Sequence, residues 1–230
     1  MSRTVVLVHG AWHGAWCWEP VIARLDAAGV RSVAVDLPSV SSSDANLQDD
    51  AACVRDALDA VADDAVLVGH SYGGAVITEA GVHGAVAHLV YLTAFVLELG
   101  ESPAKNDLAG GEDGTALNQA MQFGDGVLTL EPELAIEAFY HDCPPDLARA
   151  AVNRLRPQSL NALQGEVTQV AWREKPATYV VCTDDRGLPT ALQRANAARV
   201  GNSIDWDTSH SPFLSRPDLV ADLLIDLSAS

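Results

Sequence analysis

Val66-Leu-Val-Gly69-His70-Ser71-Tyr72-Gly73-Gly74-Ala75-Val76 is the stretch on which the fold turns. It continues the apolar run Ala65–Val68, which reads as a strand buried on both faces. The run leads straight into Gly-x-Ser-x-Gly, and Gly73–Gly84 beyond it has a helical pattern. At such a strand-to-helix junction, glycines on both sides of the serine relieve crowding in a sharp turn. The turn lifts the hydroxyl above the sheet edge. The following helix points its first amides at the place where an oxyanion would form. Ser71 therefore reads as a nucleophile, against the plainer reading of an inert serine in a tight turn.

Working outward, Thr4–Val8, Ser32–Val35, Thr178–Cys182 and the more mixed His88–Ala94 are further short, mostly apolar runs. Helical stripes separate them. Val21, Ile22, Leu25 and Ala28 share one face of Pro20–Ala28, which ends at Gly29; Leu47, Val54, Leu58 and Val61 share one face of Asn46–Val61. Pro217–Leu227 closes the chain as another helix. The alternation predicts an α/β fold with a mostly parallel central sheet flanked by helices. From 97 to 172 the rhythm breaks. Gly100–Asp125 holds five glycines and few apolar runs, and Leu128–Leu160 reads as helical or mixed. An insertion of this length between two core strands reads as a cap over a site. Residues 1–96 and 173–230 are thus expected to form the core, and 97–172 the cap.

Composition narrows the function classes. The chain has 230 residues, 48% of them apolar and 20% charged, which excludes disorder and a miniature disulfide scaffold. Fourteen basic against 31 acidic side chains give a net charge of −17, which repels phosphate backbones and anionic membranes. Neither nucleic acid nor membrane is an expected partner. Met1–His9 carries an apolar run of only five residues and reads as a first strand, not a secretory signal. Cys17, Cys53, Cys143 and Cys182 lie far apart with no Cys-x-x-Cys pair, as expected of reduced thiols in a cytoplasmic protein.

A serine nucleophile needs a base. His210, in Thr208-Ser-His-Ser-Pro-Phe213, follows the strand-like Ser203–Trp206 and precedes the last helix, a suitable loop for a catalytic imidazole. His83 and His88 read as ordinary surface or core histidines, and His141 falls in the cap. The acid that orients the imidazole is Asp185 or Asp184, both at the end of the buried run Thr178–Cys182. Asp205 and Asp207, nearer His210 in sequence, read as solvated loop carboxylates. Two oxyanion donors are expected: the N–H of Tyr72, and the N–H of Ala11 in the Gly-rich loop after the first run. His9 and His13 sit four apart in that loop rather than on a helix, so no metal pair is expected.

These motifs together resemble the α/β-hydrolase superfamily, in the branch of plant methylesterases, hydroxynitrile lyases and related bacterial esterases. The matching pieces are Val8-His-Gly-Ala-Trp-His-Gly-Ala-Trp16, Asp36-Leu-Pro38, Gly69-His-Ser-Tyr-Gly-Gly74, Tyr140-His-Asp-Cys143, Tyr179–Pro189 and His210-Ser-Pro-Phe213. They span nearly the whole chain in the family's order. The resemblance implies Asp185 as the acid, a mostly helical cap, no metal or organic cofactor, and homodimers as a frequent assembly. Two positions depart from the lyases: Gly10 stands where they carry threonine, and Ser211 where they carry the lysine that would stabilise departing cyanide. Hydrolysis of a small or medium-sized neutral ester is therefore the expected chemistry, since apart from Arg186 the motif loops offer no Arg or Lys for an anionic one. Lyase cleavage, lactonase or C–C hydrolase chemistry, a cofactor-free oxygenase and a non-catalytic ligand-binding role are the alternatives. Gly10, Trp12, Phe123, Tyr140 and Phe213 are the leading pocket candidates, with Trp16, Phe139 and Trp172 behind them.

Overall fold

Runs that are apolar without alternation belong in a parallel sheet covered on both faces, and that is where they lie. The computed structural model describes residues 3–107 and 115–229. Its first half contains β1 (Thr4–Val8), α1 (Glu19–Ala27), β2 (Ser32–Val35), α2 (Leu47–Asp59), β3 (Ala65–His70), α3 (Gly73–Ala80) and β4 (Val86–Leu92). There follow α4 (Pro103–Asp107), α5 (Ala116–Ala120), β5 (Met121–Phe123), β6 (Val127–Leu130), α6 (Pro132–Phe139), α7 (Pro145–Val152), β7 (Gln158–Ser159) and α8 (Leu160–Gln164). The chain ends with β8 (Ala177–Cys182), α9 (Thr190–Val200), β9 (Ser203–Trp206), α10 (Pro212–Ser215) and α11 (Pro217–Ala229).

Six strands form one sheet in the order β2-β1-β3-β4-β8-β9, and every neighbouring pair is parallel. The central β1 and β3 are buried along their whole length, while the edge strands β2 and β9 keep exposed residues. Local chemistry sets the helix ends. Asn46 accepts from the Gln48 and Asp49 amides while Asp49 accepts from the Asn46 amide, a reciprocal cap at the start of α2. The largest boundary shifts fall in two elements. The strand expected over His88–Ala94 starts at Val86 and stops at Leu92, because Thr93 turns to a positive φ of 38°. The helix expected to reach Gly84 ends at Ala80.

Between β4 and β8 the segment is mainly helical, but it also holds a three-stranded antiparallel sheet, β5-β6-β7, that the sequence reading lacks. The glycine-rich stretch 100–125 lies partly outside the described residues. The segment is stitched back to the core through Glu79, a buried carboxylate on α3. Its Oε2 accepts from the Thr168 and Gln169 amides at 2.6 and 3.0 Å, and its Oε1 from the Thr168 hydroxyl at 2.7 Å. Glu79→Ala removes the acceptor that holds those three donors to α3. A loss of about 2 kcal/mol of unfolding free energy is expected in urea titration, and an unchanged midpoint would mean that water replaces the carboxylate without cost. Among the described residues no helix is long and apolar enough to cross a membrane.

Candidate active site

Because all six strands run the same way, their C-terminal ends share one edge, where open α/β sheets bind ligands. The turns leaving β1, β3, β8 and β9 at that edge carry Ser71, Asp184, Asp185, His210 and the Ala11 and Tyr72 amides. Three non-glycine residues among those described have positive φ: Trp12 (62°), Ser71 (52°) and Thr93 (38°). They lie in the turns after β1, β3 and β4. Backbone in this region is unfavourable for side-chain-bearing residues and persists where the surroundings force it.

Around Ser71 the forcing is visible. Its N–H donates to the Leu92 carbonyl at 3.3 Å, and its own carbonyl accepts from the Gly74 and Phe95 amides at 3.0 and 3.1 Å. The flanking glycines are required by close approach: a Cβ on Gly69 would stand 2.5 Å from the Gly73 carbonyl oxygen, and one on Gly73 would stand 2.7 Å from that of His9. The turn cannot carry side chains at positions 69 and 73.

His210 is buried, and its Nδ1 lies 2.7 Å from Asp185 Oδ2. That oxygen also accepts from the Thr93 hydroxyl at 2.5 Å and the Gln193 amide at 3.1 Å. The other carboxylate oxygen takes the Gly187 and Leu188 N–H groups at 2.7 and 2.8 Å. A carboxylate with this many donors is fixed in both position and orientation. The imidazole is further held from behind. Phe139 stacks on it at 5.1 Å, and the His210 carbonyl accepts from His70 Nε2–H at 2.8 Å. The next residue back in the loop, Ser209, is clamped by Asp142, which accepts from its amide and hydroxyl at 2.9 and 2.5 Å.

The two carboxylates left open by the sequence are now separated. Asp184 is exposed; its side chain lies 3.8 Å from His141 Nδ1, and its carbonyl accepts from His141 Nε2–H at 2.9 Å. Asp185 alone of the two reaches His210. The other histidines are engaged elsewhere, His83 with Asp59 and His88 with Thr178. Asp205 is not a free loop carboxylate, because it sits in β9 and takes both guanidinium nitrogens of Arg194 at 2.6 Å. Asp207 is exposed and receives a long contact from the Thr183 hydroxyl.

The first loop is held equally firmly. His9 donates from Nδ1 to the Gly10 carbonyl and accepts at Nε2 from the Leu37 amide. His13 donates from Nδ1 to the Ala11 carbonyl and accepts at Nε2 from the Tyr140 hydroxyl at 2.7 Å. Burial pushes His9 down to about 4 and His13 to about 3, so both rings stay neutral near pH 7. With both nitrogens of each ring committed, neither histidine offers a metal a lone pair. From the segment between β4 and β8, Gln158 accepts the Trp12 amide, Leu128 accepts the Trp12 indole, and the Arg156 amide donates to the Trp12 carbonyl. Neither the Ala11 N–H nor the Tyr72 N–H has an acceptor among the described residues.

A cavity of about 400 Å³ opens above this edge, lined by Ala11, Trp12, Ser71, Tyr72, Phe95, Leu188 and His210 from the core, and by α4, α5, β5, β6 and α8. Among the described lining residues none is charged. Of the five leading pocket candidates, Trp12 and Phe123 line the cavity. Tyr140 does not, because its ring is buried and its hydroxyl is used on His13. Phe213 is buried behind the site, against His70 and Trp18. Gly10 sits beneath Ser71: a Cβ there would lie 2.9 Å from Ser71 Cβ and 2.7 Å from His70 Nδ1. Trp16 stacks on His13, Phe139 on His210, and Trp172 donates to the Leu97 carbonyl. Phe95, Thr93, Gln193 and Asp142 escaped the sequence reading; the last was visible only as part of a quoted motif.

Comparison with known proteins agrees with this fold. Residues 5–223 match the Alpha/beta hydrolase family. The chain is 30% identical to the alpha/beta hydrolase nvfD of Aspergillus novofumigatus (strain IBT 16806), over 97% of this chain and 96% of that protein. It is also 30% identical to Methylesterase 7 of Arabidopsis thaliana, over 99% of this chain and 96% of that one. The crystal structure of a pyrethroid hydrolase from Sphingobium faniae JZ-2 superposes with a TM-score of 0.88 at 27% identity, covering 100% of this chain and 98% of its own.

Proposed function

The chain belongs to the Alpha/beta hydrolase family, and from that premise we propose that it is a serine hydrolase, cleaving a small or medium-sized neutral carboxylic ester through an acyl-serine intermediate. The observation that carries the reading is His210, paired through Nδ1 with Asp185 at 2.7 Å and lining, with Ser71, one cavity whose described residues are uncharged. His210 takes the proton of Ser71 as the serine oxygen attacks the ester carbonyl. Asp185 keeps the imidazole in the tautomer with Nδ1 protonated, which leaves Nε2 free to accept. The Ala11 and Tyr72 N–H groups receive the developing oxyanion. The alcohol leaves with the proton from His210; a water deprotonated by the same imidazole then releases the acid. The segment 97–172 serves as a cap, its described elements α4, α5, β5, β6 and α8 lining the cavity.

Hydrolysis is favoured over cyanohydrin cleavage by two features of this chain. Ser211 supplies no cation for a leaving cyanide, and a side chain at position 10 would press on Ser71 Cβ. The relatives named as a methylesterase and a pyrethroid hydrolase are in keeping with ester substrates. The lack of charged lining among the described residues disfavours anionic esters, whose desolvation nothing there would offset.

The test is rapid mixing with p-nitrophenyl butyrate, together with labelling by a fluorophosphonate and peptide mapping. A burst of p-nitrophenol and one phosphonyl group per chain on Ser71 are expected. A folded protein that releases no p-nitrophenol, or that is labelled at another residue, overturns the reading.

A further inference from the structure

Tyr72 follows the proposed nucleophile directly, and its side chain takes no part in the chemistry above. The ring is 1% exposed, and its hydroxyl donates to Asp50 Oδ2 at 2.6 Å. Asp50 is 0% exposed and lies in the first turn of α2, on the face turned into the core. Its Oδ1 accepts from the Ser39 amide at 2.9 Å, in the short turn Pro38–Val40 that follows β2. One buried carboxylate thus joins α2, the turn after β2 and the residue next to Ser71.

Packing alone does not ask for an acid here. A buried carboxylate with two donors is costly to desolvate, and burial holds its pKa above the ordinary range. Leucine would fill comparable space without that cost. What the acid supplies is a second anchor for Tyr72. Its backbone is fixed where α3 begins, and its hydroxyl is fixed at Asp50, so rotation of the peptide between Ser71 and Tyr72 is resisted at both ends. That peptide carries the N–H assigned to the oxyanion. A donor must sit about 2.7–3.1 Å from the developing charge to be effective, and misplacement by about 1 Å can cost on the order of 10²-fold in rate.

We propose that Asp50 is a positioning residue for the oxyanion hole, acting through the Tyr72 side chain on the Tyr72 N–H. The inference rests on the reading of Ser71 and Tyr72 given above. It assigns the hydroxyl to the scaffold rather than to the substrate, although the ring itself lines the cavity.

The test is a double-mutant cycle of Asp50→Asn and Tyr72→Phe with p-nitrophenyl butyrate, with binding of an aryl trifluoromethyl ketone measured alongside. Both substitutions leave the backbone N–H at position 72 in place. Each single variant is expected to lower kcat about 10-fold with KM within about two-fold. Ketone affinity is expected to fall in parallel, because its hemiketal oxygen occupies the same hole. The double variant is expected to be no slower than the slower single one. A thermal shift without a fall in kcat, or a loss confined to KM, would reduce Asp50 to a structural role and overturn the proposal. If Asp50→Asn does not fold, Tyr72→Phe alone decides through the same kcat and ketone readouts. A wild type without Ser71-dependent turnover overturns the site reading and this inference together. Wild-type turnover with an unaffected Tyr72→Phe overturns this inference alone.

Discussion

Ser71→Ala is expected to lower kcat for p-nitrophenyl butyrate by about 10⁴-fold or more, while leaving the fold and the cavity intact. Losing a serine nucleophile removes covalent catalysis altogether; only oxyanion stabilisation and binding remain, and these sustain a residual rate of about 10³–10⁴ over the uncatalysed reaction. The backbone should tolerate the change. What forces the φ of 52° is the trio of bonds from Ser71 N–H to Leu92 and from Gly74 and Phe95 to its carbonyl, none of which involves the side chain. Unfolding free energy should therefore change by less than about 0.5 kcal/mol, and a non-hydrolysable ester analogue should still bind. The discriminating measurement is kcat after removal of trace wild type by fluorophosphonate, which cannot label the variant. Retention of more than a hundredth of the wild-type kcat would show that water, or another group, attacks the ester directly.

Much of the fold was legible because the central strands obey one rule. A strand buried on both faces has no reason to alternate, so Val5–Val8 and Ala65–Val68 announce themselves as apolar runs. Strands without that constraint were harder to see. β5, β6 and β7 are four residues or fewer, and Phe123 is 77% exposed. No regular strand–helix alternation frames these pieces as it frames β2 and β9; pairing between distant segments, such as Val127 with Ser159, creates them.

The site divides along a similar line. Ser71 and His210 are visible because their chemistry needs particular residues in particular local settings, and a Gly-x-Ser-x-Gly turn is a local setting. Their supports are not local. Thr93 reaches Asp185 across 92 positions and Asp142 reaches Ser209 across 67. Gln193 looks in sequence like any polar residue on a helix, yet it is fully buried. It spans the end of β8 by bonding the Cys182 amide and carbonyl, and it also reaches Asp185 and the Leu188 carbonyl. The aromatic side chains misled for a related reason. Tyr140 and Phe213 stand in motifs beside the site, but sequence proximity does not say which side of the imidazole a ring occupies. Both pack on other histidines instead, Tyr140 on His13 and Phe213 on His70.

Asp185→Asn is expected to lower kcat by about 10³–10⁴-fold, whereas Asp184→Asn should stay within about two-fold of wild type. The reason lies in which atoms the carboxylate serves. Oδ1 takes the Gly187 and Leu188 amides, and Oδ2 takes His210 Nδ1–H, the Thr93 hydroxyl and the Gln193 amide. An asparagine has one accepting oxygen and one donating NH₂. If the oxygen stays with the two backbone amides, the NH₂ faces His210 Nδ1 and forces that nitrogen to accept. The ring proton then moves to Nε2, the atom that must take the serine proton, and the base is silenced by tautomer rather than by displacement. If the amide flips, its NH₂ meets two fixed N–H donors, so the first arrangement prevails. Asp184 makes none of these contacts; its carboxylate faces solvent and His141. Steady-state kinetics of the two variants, with ¹⁵N chemical shifts of the His210 ring to read the tautomer, separate the cases. Equal losses, or an Asp185→Asn enzyme with Nδ1 still protonated, would dismiss Asp185 as the group that orients the base.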